Sequence, residues 1–532
     1  MANRNLFGST PIQVPNRSGS DLSHENMLTL KCGQLVPVMT DLLIPGDRVS
    51  VGSAFEIQLP PMATDFYGRV RFKMEAFFVP CRLLYGGWQK FMTSPTGNNA
   101  PSATSVGQTL PYCVVPAENA SVLGRGSLAD YLGYKGTGNT RQRINNIMRF
   151  MAYHKIYDDW YRDSRIQKPV FDEAVPVATS ATPLSVAVLP FQGVNGSYFS
   201  YGAATKFADG VDLFSLRQRN WARDYFTNAT PLPQAGTGAS LSFDVAENSG
   251  SFTIASLRAA NSLQQWLERN NIAGNRYADQ IKAHFGVMPA DAVTQRAIYL
   301  GSSSSVIYNH SVYQTVGVEP SVDVNPNPFS TVGSKYSAPI GSDKSSLVGD
   351  FSVTEFGYLM VIGSIVPDAV YATGINRDFF RLQIGDFAFP LLQGVGDQPI
   401  YKAELANVGV DGDTMDNMAT FGYTQRFAEY KFMPDEVHGG LCDGQSLSAF
   451  ALKRSFGKLT ETTLGSSFLE IPVDYLDDVA ASSSSLPSTF GAWADIFFQY
   501  RKTSVLSAYT IPTLGDPHNT HTETVPTGGR RL

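Results

Sequence analysis

The chain has 532 residues, of which 17% are charged and 12% aromatic, with 47 glycines, 31 prolines and a formal net charge of −6. Sparing charge with abundant aromatics, Gly and Pro suits a loop-rich β protein whose surface is largely covered by partners. The acidic balance excludes a protein that coats nucleic acid with its whole surface, because phosphate neutralisation dominates that affinity.

Cys32, Cys81, Cys113 and Cys442 form no C-x-x-C pair and match no small disulfide framework, so reduced thiols are expected. The opening M-A-N-R-N-L-F-G-S-T-P has no apolar signal-peptide core, and no run approaches the roughly 18 apolar residues of a membrane span. A chain that is soluble when made is expected.

In chain order, residues 1–35 are polar and punctuated by Pro11, Pro15 and Gly19, which predicts an extended N-terminal arm that gains order along neighbouring subunits. Pro45-Gly46-Asp47 is a turn signal, followed by a strand over 48–59. Over 69–80 charged and apolar residues alternate before a closing proline. Val70, Phe72, Met74, Ala76 and Phe78 fall on one face and Arg69, Arg71, Lys73 and Glu75 on the other, the pattern of a half-buried strand with one wet face. Between 139 and 165 the period changes: Ile144, Ile147, Met148, Met151, Ile156 and Trp160 predict an amphipathic helix ending before Pro169. A second helix fits Leu257, Ala260, Leu263, Trp266 and Leu267, with Ser256 as N-cap and Gly274 past its stop. A third spans 277–285 and stops at Gly286. The apolar run 351–366, broken by Gly357 and Gly363, predicts one kinked or bulged strand, and 493–506 another strand. Strands at both ends with helices in the long connections indicate a mainly β fold: one β-sandwich over 36–515, helical insertions near 139–165 and 256–286, and a polar tail over 516–532.

Catalytic signatures are missing: the chain has no G-x-x-x-x-G-K-[ST], H-E-x-x-H or G-x-S-x-G. Gly124-Arg125-Gly126-Ser127-Leu128-Ala129 mimics a dinucleotide loop but lacks a preceding strand, so a turn is expected. Asp516, His518 and His521 sit in the polar tail and read as solvated side chains before they read as metal ligands. Asp158 and Asp159 would point about 100° apart on a helix, which favours surface or interface salt bridging over acid–base work. Asp477-Asp478 could touch Ca²⁺, with ordinary surface charge the commoner use. No catalytic residue, cofactor or metal site is assigned.

Basic and aromatic residues mix at two places. Arg141, Arg143, Arg149 and Lys155 accompany Tyr153 and Tyr157 on the first helix, and Arg217, Arg219 and Arg223 flank Trp221. Such mixtures grip single-stranded nucleic acid by stacking and phosphate pairing. Pairing of the same arginines with carboxylates at subunit contacts is the commoner arrangement.

Several segments resemble the major capsid proteins of microviruses, nearest the gokushovirus branch. The strand over 69–80, with L-L-I-P-G-D-R-V-S-V before it and C-R-L-L-Y-G-G-W-Q-K-F-M after it, is similar to the family's N-terminal third. Y-H-K-I-Y-D-D-W-Y-R-D over 153–163 resembles A-Y-N-x-I-Y-N-x-W-F-R-D, and R-D-Y-F-T-N-A-T-P-L-P-Q-A-G over 223–236 resembles D-Y-F-T-S-x-L-P-x-x-Q-x-G. The stretch 268–287 resembles E-R-x-A-x-G-G-x-R-Y with H-F-G-V, and 421–431 resembles F-G-Y-x-E-R-W-A-E-Y-R. The segments keep the family's order over nearly the whole chain.

The resemblance implies a viral jelly roll, two packed antiparallel sheets with long inter-strand loops. It further implies pentamers closing a T=1 icosahedral shell around circular single-stranded DNA. The implied partners are other copies of the chain, a small basic DNA-binding protein, a DNA pilot protein, an internal scaffolding protein during assembly and a host cell-surface receptor. The implied location is the virion, after assembly in the bacterial cytoplasm. The acidic charge agrees with a separate basic packer. One departure concerns the threefold spike of many gokushoviruses: only roughly 20 residues separate Gln234 from Ser256, the length of a long loop. The segment 167–216 is longer than the family's version, so surface relief is expected there instead. The alternative is a carbohydrate-binding or receptor-binding β-sandwich of a phage fibre, for which repeats or trimer-forming heptads would be expected and are not found in the sequence. A hydrolase on a β scaffold would need a nucleophile or carboxylates clustered with His, and only seven histidines are scattered along the chain.

Overall fold

The computed structural model describes residues 9–59, 67–93, 110–171, 198–233, 254–313, 335–407, 418–476, 491–506 and 520–526, apart from short gaps at 16, 87, 137–139, 201–205, 275, 308–310, 338–339, 395 and 457–462. Nine strands build its body: β1 (Ser18–Asp21), β2 (His24–Leu30), β3 (Val36–Leu43), β4 (Arg48–Gln58), β5 (Val70–Pro80), β6 (Ile298–Ile307), β7 (Ile340–Ser352), β8 (Gly357–Pro367) and β9 (Ala492–Ser504). They form two antiparallel sheets. One has the order β6-β5-β8-β3; the other runs β7-β4-β9, with β1 and β2 both pairing along β9. From β2 onward the chain changes sheet at every step except β5 to β6, and that connection carries the helices.

The alternation of β5 is realised as expected on its inner face, where Val70, Phe72, Met74, Ala76 and Phe78 are all buried. They meet the inner faces of β4, β7 and β9 in one core that includes Val49, Val51, Ile57, Ile496 and Phe498. Rings interlock across the gap: Phe55 meets Phe72 edge-on at 4.9 Å, and Phe351 lies 5.2 Å from Phe78. Apolar burial on this scale is the main force holding the sheets together.

The other face of β5 is only partly wet: Arg71, Lys73 and Glu75 are half-buried, and the residues after Glu75 are buried. Phe77, Val79, Tyr358, Met360 and Ile362 pack beneath helix α1 (Met148–Ile156) and its flanks in a second core. Every residue of β8 is therefore buried, which explains its unbroken apolar run. A third core gathers Tyr225, Phe226, Tyr371, Ile400, Phe421 and Phe468 from the later loops.

Four expectations change. Residues 142–144 form a short strand paired with Tyr112–Val115, and α1 begins only at Met148, whose N–H donates to Asn146 Oδ1 at 2.8 Å. That Asn–backbone bond competes with helix and sets the later start. The helix then continues as a π-helical turn, Tyr157–Tyr161. Helix α2 (Ile254–Ala273) takes Ser256 into its interior, so Ser256 is no N-cap; Gly274 at φ +104° ends it as expected. Helix α3 (Tyr277–Phe285) stops at Gly286, φ +71°, in agreement with the sequence.

The run 351–366 is two strands, β7 and β8, in different sheets. The corner between them is pinned by Gly46 N–H to Val353 O and Val353 N–H to Asp47 O, each 2.8 Å. Residues 18–30, expected within an extended arm, lie as β1 and β2 along β9, and Ser9–Pro15 pairs with Thr520–Pro526. Most of 167–216 and all of 234–253 fall outside the described residues, so neither spike expectation meets a structure. None of the four cysteines is in a disulfide, and burial pushes the Cys81 and Cys113 thiols up to about 12. Among the described residues no helix is long and apolar enough to cross a membrane.

A β-carbon on Gly357 would sit 2.4 Å from Phe78 Cζ and 2.7 Å from the Val79 carbonyl oxygen. Gly357→Ala is expected to destabilise the subunit by about 1–3 kcal/mol, the usual cost of overpacking. Denaturant unfolding checks this, and an unchanged midpoint contradicts the close approach of β8 to β5.

Candidate functional site

Glu75 lies on the covered face of β5. Arg219 reaches it with both terminal nitrogens, at 2.7 and 3.1 Å, and also donates to Ser364 Oγ of β8 at 3.0 Å. The Tyr161 hydroxyl donates to the same carboxylate at 2.5 Å. Burial alone would raise the Glu75 pKa, but the Arg219 charge and hydrogen bonds, helped by Tyr161 and Lys73, outweigh it and hold it below its ordinary value. Arg219 thus ties the sheet to the π-helical turn.

Arg217 is buried against α1. Its Nε donates to His154 Nδ1 at 3.0 Å, Asp209 accepts from its Nη1, and its guanidinium lies 4.9 Å from the Tyr157 ring centre. His154 is wholly buried, and its Nε2 sits 2.9 Å from the Leu213 carbonyl oxygen. With Nδ1 accepting, Nε2 must be the protonated nitrogen. Burial first, and then the Arg217 charge, hold His154 well below the usual histidine pKa, the Leu213 hydrogen bond offsetting only part. Trp221 is buried too, with the Arg454 guanidinium 4.7 Å from its ring.

The remaining arginines divide. Arg223 keeps a side chain 61% exposed, 3.8 Å from Asp163. Arg149 donates to the Leu132 carbonyl from α1. Arg141 and Arg143 are exposed but lie at the 142–144 strand, not on the helix, and Arg143 covers the Tyr112 ring at 4.1 Å. The structure therefore scatters the predicted set: Arg217, Arg219 and Trp221 face inward within one subunit, and Arg141, Arg143 and Arg223 face solvent.

Asp158 and Asp159 diverge as expected, Asp159 buried and Asp158 half-buried. Asp158 holds Arg162 at 2.6 Å; Asp159 holds Lys155 at 3.0 Å and accepts from Ala297 N–H at 2.8 Å. Gly124–Ala129 is a turn into a short helix, with Ser127 as its cap. Asp477, Asp478, Asp516 and His518 lie outside the described residues, and His521 is on the strand paired with Val14. Among the described residues no three His, Cys, Asp or Glu side chains are grouped to hold a metal.

Sequence reasoning missed the convergence of the motif segments. Thr230 and Tyr423 exchange backbone hydrogen bonds of 2.9 and 2.8 Å, joining 223–236 to 421–431. Arg276 donates to the Asp158 and Arg162 carbonyls, joining 268–287 to 153–163. Arg454 was also missed. It is ringed by Trp221, Tyr371, Phe456 and Phe468, and donates to the Phe468 carbonyl at 2.6 Å. Its only local signal is a flanking Phe on either side, in F-A-L-K-R-S-F.

Outside these networks, the segment 377–392 winds through three short 3₁₀ turns with its apolar side chains outward. Phe379 and Ile384 are each 79% exposed and Leu391 is 92% exposed. Apolar exposure on that scale marks an interaction surface. A β-sandwich with arginine networks inside and apolar turns displayed outside is built as an assembly subunit. The chain belongs to the capsid protein (F protein) family, whose model matches residues 10–246 and 239–514. It is 27% identical to capsid protein VP1 of Chlamydia phage 1, over 96% of this chain and 98% of that one. It is 25% identical to capsid protein VP1 of Bdellovibrio phage phiMH2K over the same shares, and 24% identical to that of Spiroplasma virus 4 over 94% and 95%.

Two outcomes test the buried networks. Glu75→Gln leaves Arg219 inside the fold without its counter-charge and is expected to cost about 3–5 kcal/mol; a loss under 1 kcal/mol in chemical unfolding contradicts the tie. Because the folded pKa of His154 lies below its unfolded value near 6.5, protons bind the unfolded chain first as pH falls. Its contribution is intact above pH 6.5 and is lost below it, with a slope of at most about 1.4 kcal/mol per pH unit. His154→Gln, which keeps a donor and an acceptor, is expected to remove that slope in unfolding curves taken between neutral pH and pH 5.

Proposed function

We propose that this major capsid protein of a small phage assembles through pentamers into a T=1 icosahedral shell that encloses a circular single-stranded DNA genome. The carrying observation is the capsid family match along almost the whole chain, in a sandwich that displays apolar turns at its surface. The strand orders support a jelly roll: β2-β9-β4-β7 in one sheet and β3-β8-β5-β6 in the other, with the chain alternating between them. A jelly roll presents a limited rim, so loops such as 377–392 supply contact area. Heterologous contacts then close a ring, and further contacts between rings close the shell.

The net charge of −6 favours a separate small basic protein as the neutraliser of most phosphate. A DNA pilot protein, an internal scaffolding protein and a host receptor complete the expected partners. Thiols outside disulfides suit assembly in a bacterial cytoplasm. The fibre alternative is set aside, because the family is one of capsid proteins.

Negative-stain microscopy of the protein from virus-producing cells, with an assay for nuclease-protected DNA, tests the reading. Uniform small icosahedra with protected single-stranded DNA are expected; trimers or monomers without protected DNA overturn it. Leu391→Asp with Phe379→Asp is expected to leave a folded subunit and reduce shell yield by at least tenfold. Full assembly of that variant removes 377–392 from the contact surface.

A further inference from the structure

Four of the motif segments meet around a solvent-open cleft of about 220 Å³ between β5, the π-helical turn and the loop after Arg219. That is well beyond the roughly 10–15 Å³ needed by one water. Lys73, Arg162, Arg219, Arg223 and Arg276 line it, against Asp163 as the one lining carboxylate. Glu75 and Asp158 lie behind, each engaged by one of these arginines. Asp163 itself accepts from Arg165 Nη2 and Nε, at 2.8 and 3.2 Å.

Two cations remain without a carboxylate of their own. Arg276 donates to the backbone carbonyls of Asp158 and Arg162. Lys73 stands half-buried between the cations of Arg219 and Arg71 and the carboxylates of Glu75 and Asp368, and among the described residues no ion pair or hydrogen bond engages its amine. Burial first, then neighbouring cations, pull Lys73 and Arg276 below their ordinary pKa values, with Glu75 and Asp368 offsetting part for Lys73 and Asp158 and Asp159 part for Arg276. Trp221, 4% exposed, also lines the cleft, and its Nε1 is a buried donor with no partner among the described residues.

The geometry points to an anion pocket for a phosphate group, built by Lys73, Arg223 and Arg276 with the Trp221 indole in its wall. Forked guanidinium donors beside an ammonium suit a tetrahedral oxyanion, and a bound dianion or diester would relieve the repulsion that the cleft now carries. The phosphate is a backbone phosphodiester of single-stranded DNA; that source rests on the capsid reading, whereas the affinity for phosphate does not. Of the candidate DNA or subunit-interface contacts at 217–223, Arg223 joins the pocket and Arg219 serves as its wall.

Full-length subunits and the double variant Lys73→Gln with Arg223→Gln are titrated with a short oligothymidylate and, separately, with inorganic phosphate. Binding is read by anisotropy and by tryptophan fluorescence over a series of salt concentrations. Both substituted side chains reach solvent, so folding is preserved, and unfolding curves verify it. For the oligonucleotide, the variant is expected to lose about tenfold in affinity, and its log–log salt slope to fall by about 1.4, since each single-strand phosphate contact contributes about 0.7. Lys73→Arg with Arg223→Lys is expected to restore both. Loss of phosphate binding alone supports the pocket with free phosphate as its source. Unchanged binding of both probes overturns the proposal, and if shell assembly then fails, the cleft belongs to a subunit contact. Shells that form without phosphate binding refute the pocket and leave the capsid reading standing; phosphate binding without shells does the reverse.

Discussion

A carboxylate on the covered face of a sheet needs its counter-ion inside the fold, and Arg219 supplies it for Glu75. Without that pair, the β6-β5-β8-β3 sheet could not accept a helical layer over the strand that carries Arg71, Lys73 and Glu75. With it, the long connection between β5 and β6 becomes a second wall, not a loose loop. The sandwich core and the helical core then share one sheet, and β8 lies buried between them.

Arginines repeat this role at each junction. Arg217 fastens the loop before the sheet to His154 in α1, Arg276 fastens the start of α3 to the π-helical turn, and Arg377 holds Glu404 at 2.6 Å in the third core. Arg454 joins that core to Trp221 by aromatic faces. Arginine suits these sites because its planar fork satisfies several acceptors at once and stays charged when buried. The consequence for assembly is a division of labour. Intrachain ion pairs stiffen the subunit, and in the proposed assembly the outward apolar turns at 377–392 meet its neighbours.

Much of the body was legible because strand and helix periods differ. The alternation over 69–80 marked the inner face of β5, and Gly286 ended α3 where its positive φ is needed. The same logic failed where two periods coincide: Ile144 and Ile147 stand at helical spacing but reach one core from a strand and a loop. The run 351–366 could not reveal its corner, since an all-apolar strand gives no alternation to break. The partial cover over the outer face of β5 was not legible because it lies far away in sequence, with Arg219 144 residues from Glu75. Residue types in 217–223 announced a basic, aromatic site; only folding shows that Arg217 and Arg219 spend their charge within the subunit while Arg223 does not.

The central claim is that the arginine networks belong to the subunit and the apolar turns to the assembly. Hydrogen exchange measured on free subunits and on closed shells separates the two. Amides over 148–167 are expected to be protected already in the free subunit and unchanged in the shell, while those over 377–392 gain protection on closure. Protection that appears over 148–167 only in the shell, with 377–392 unaffected, would contradict the account.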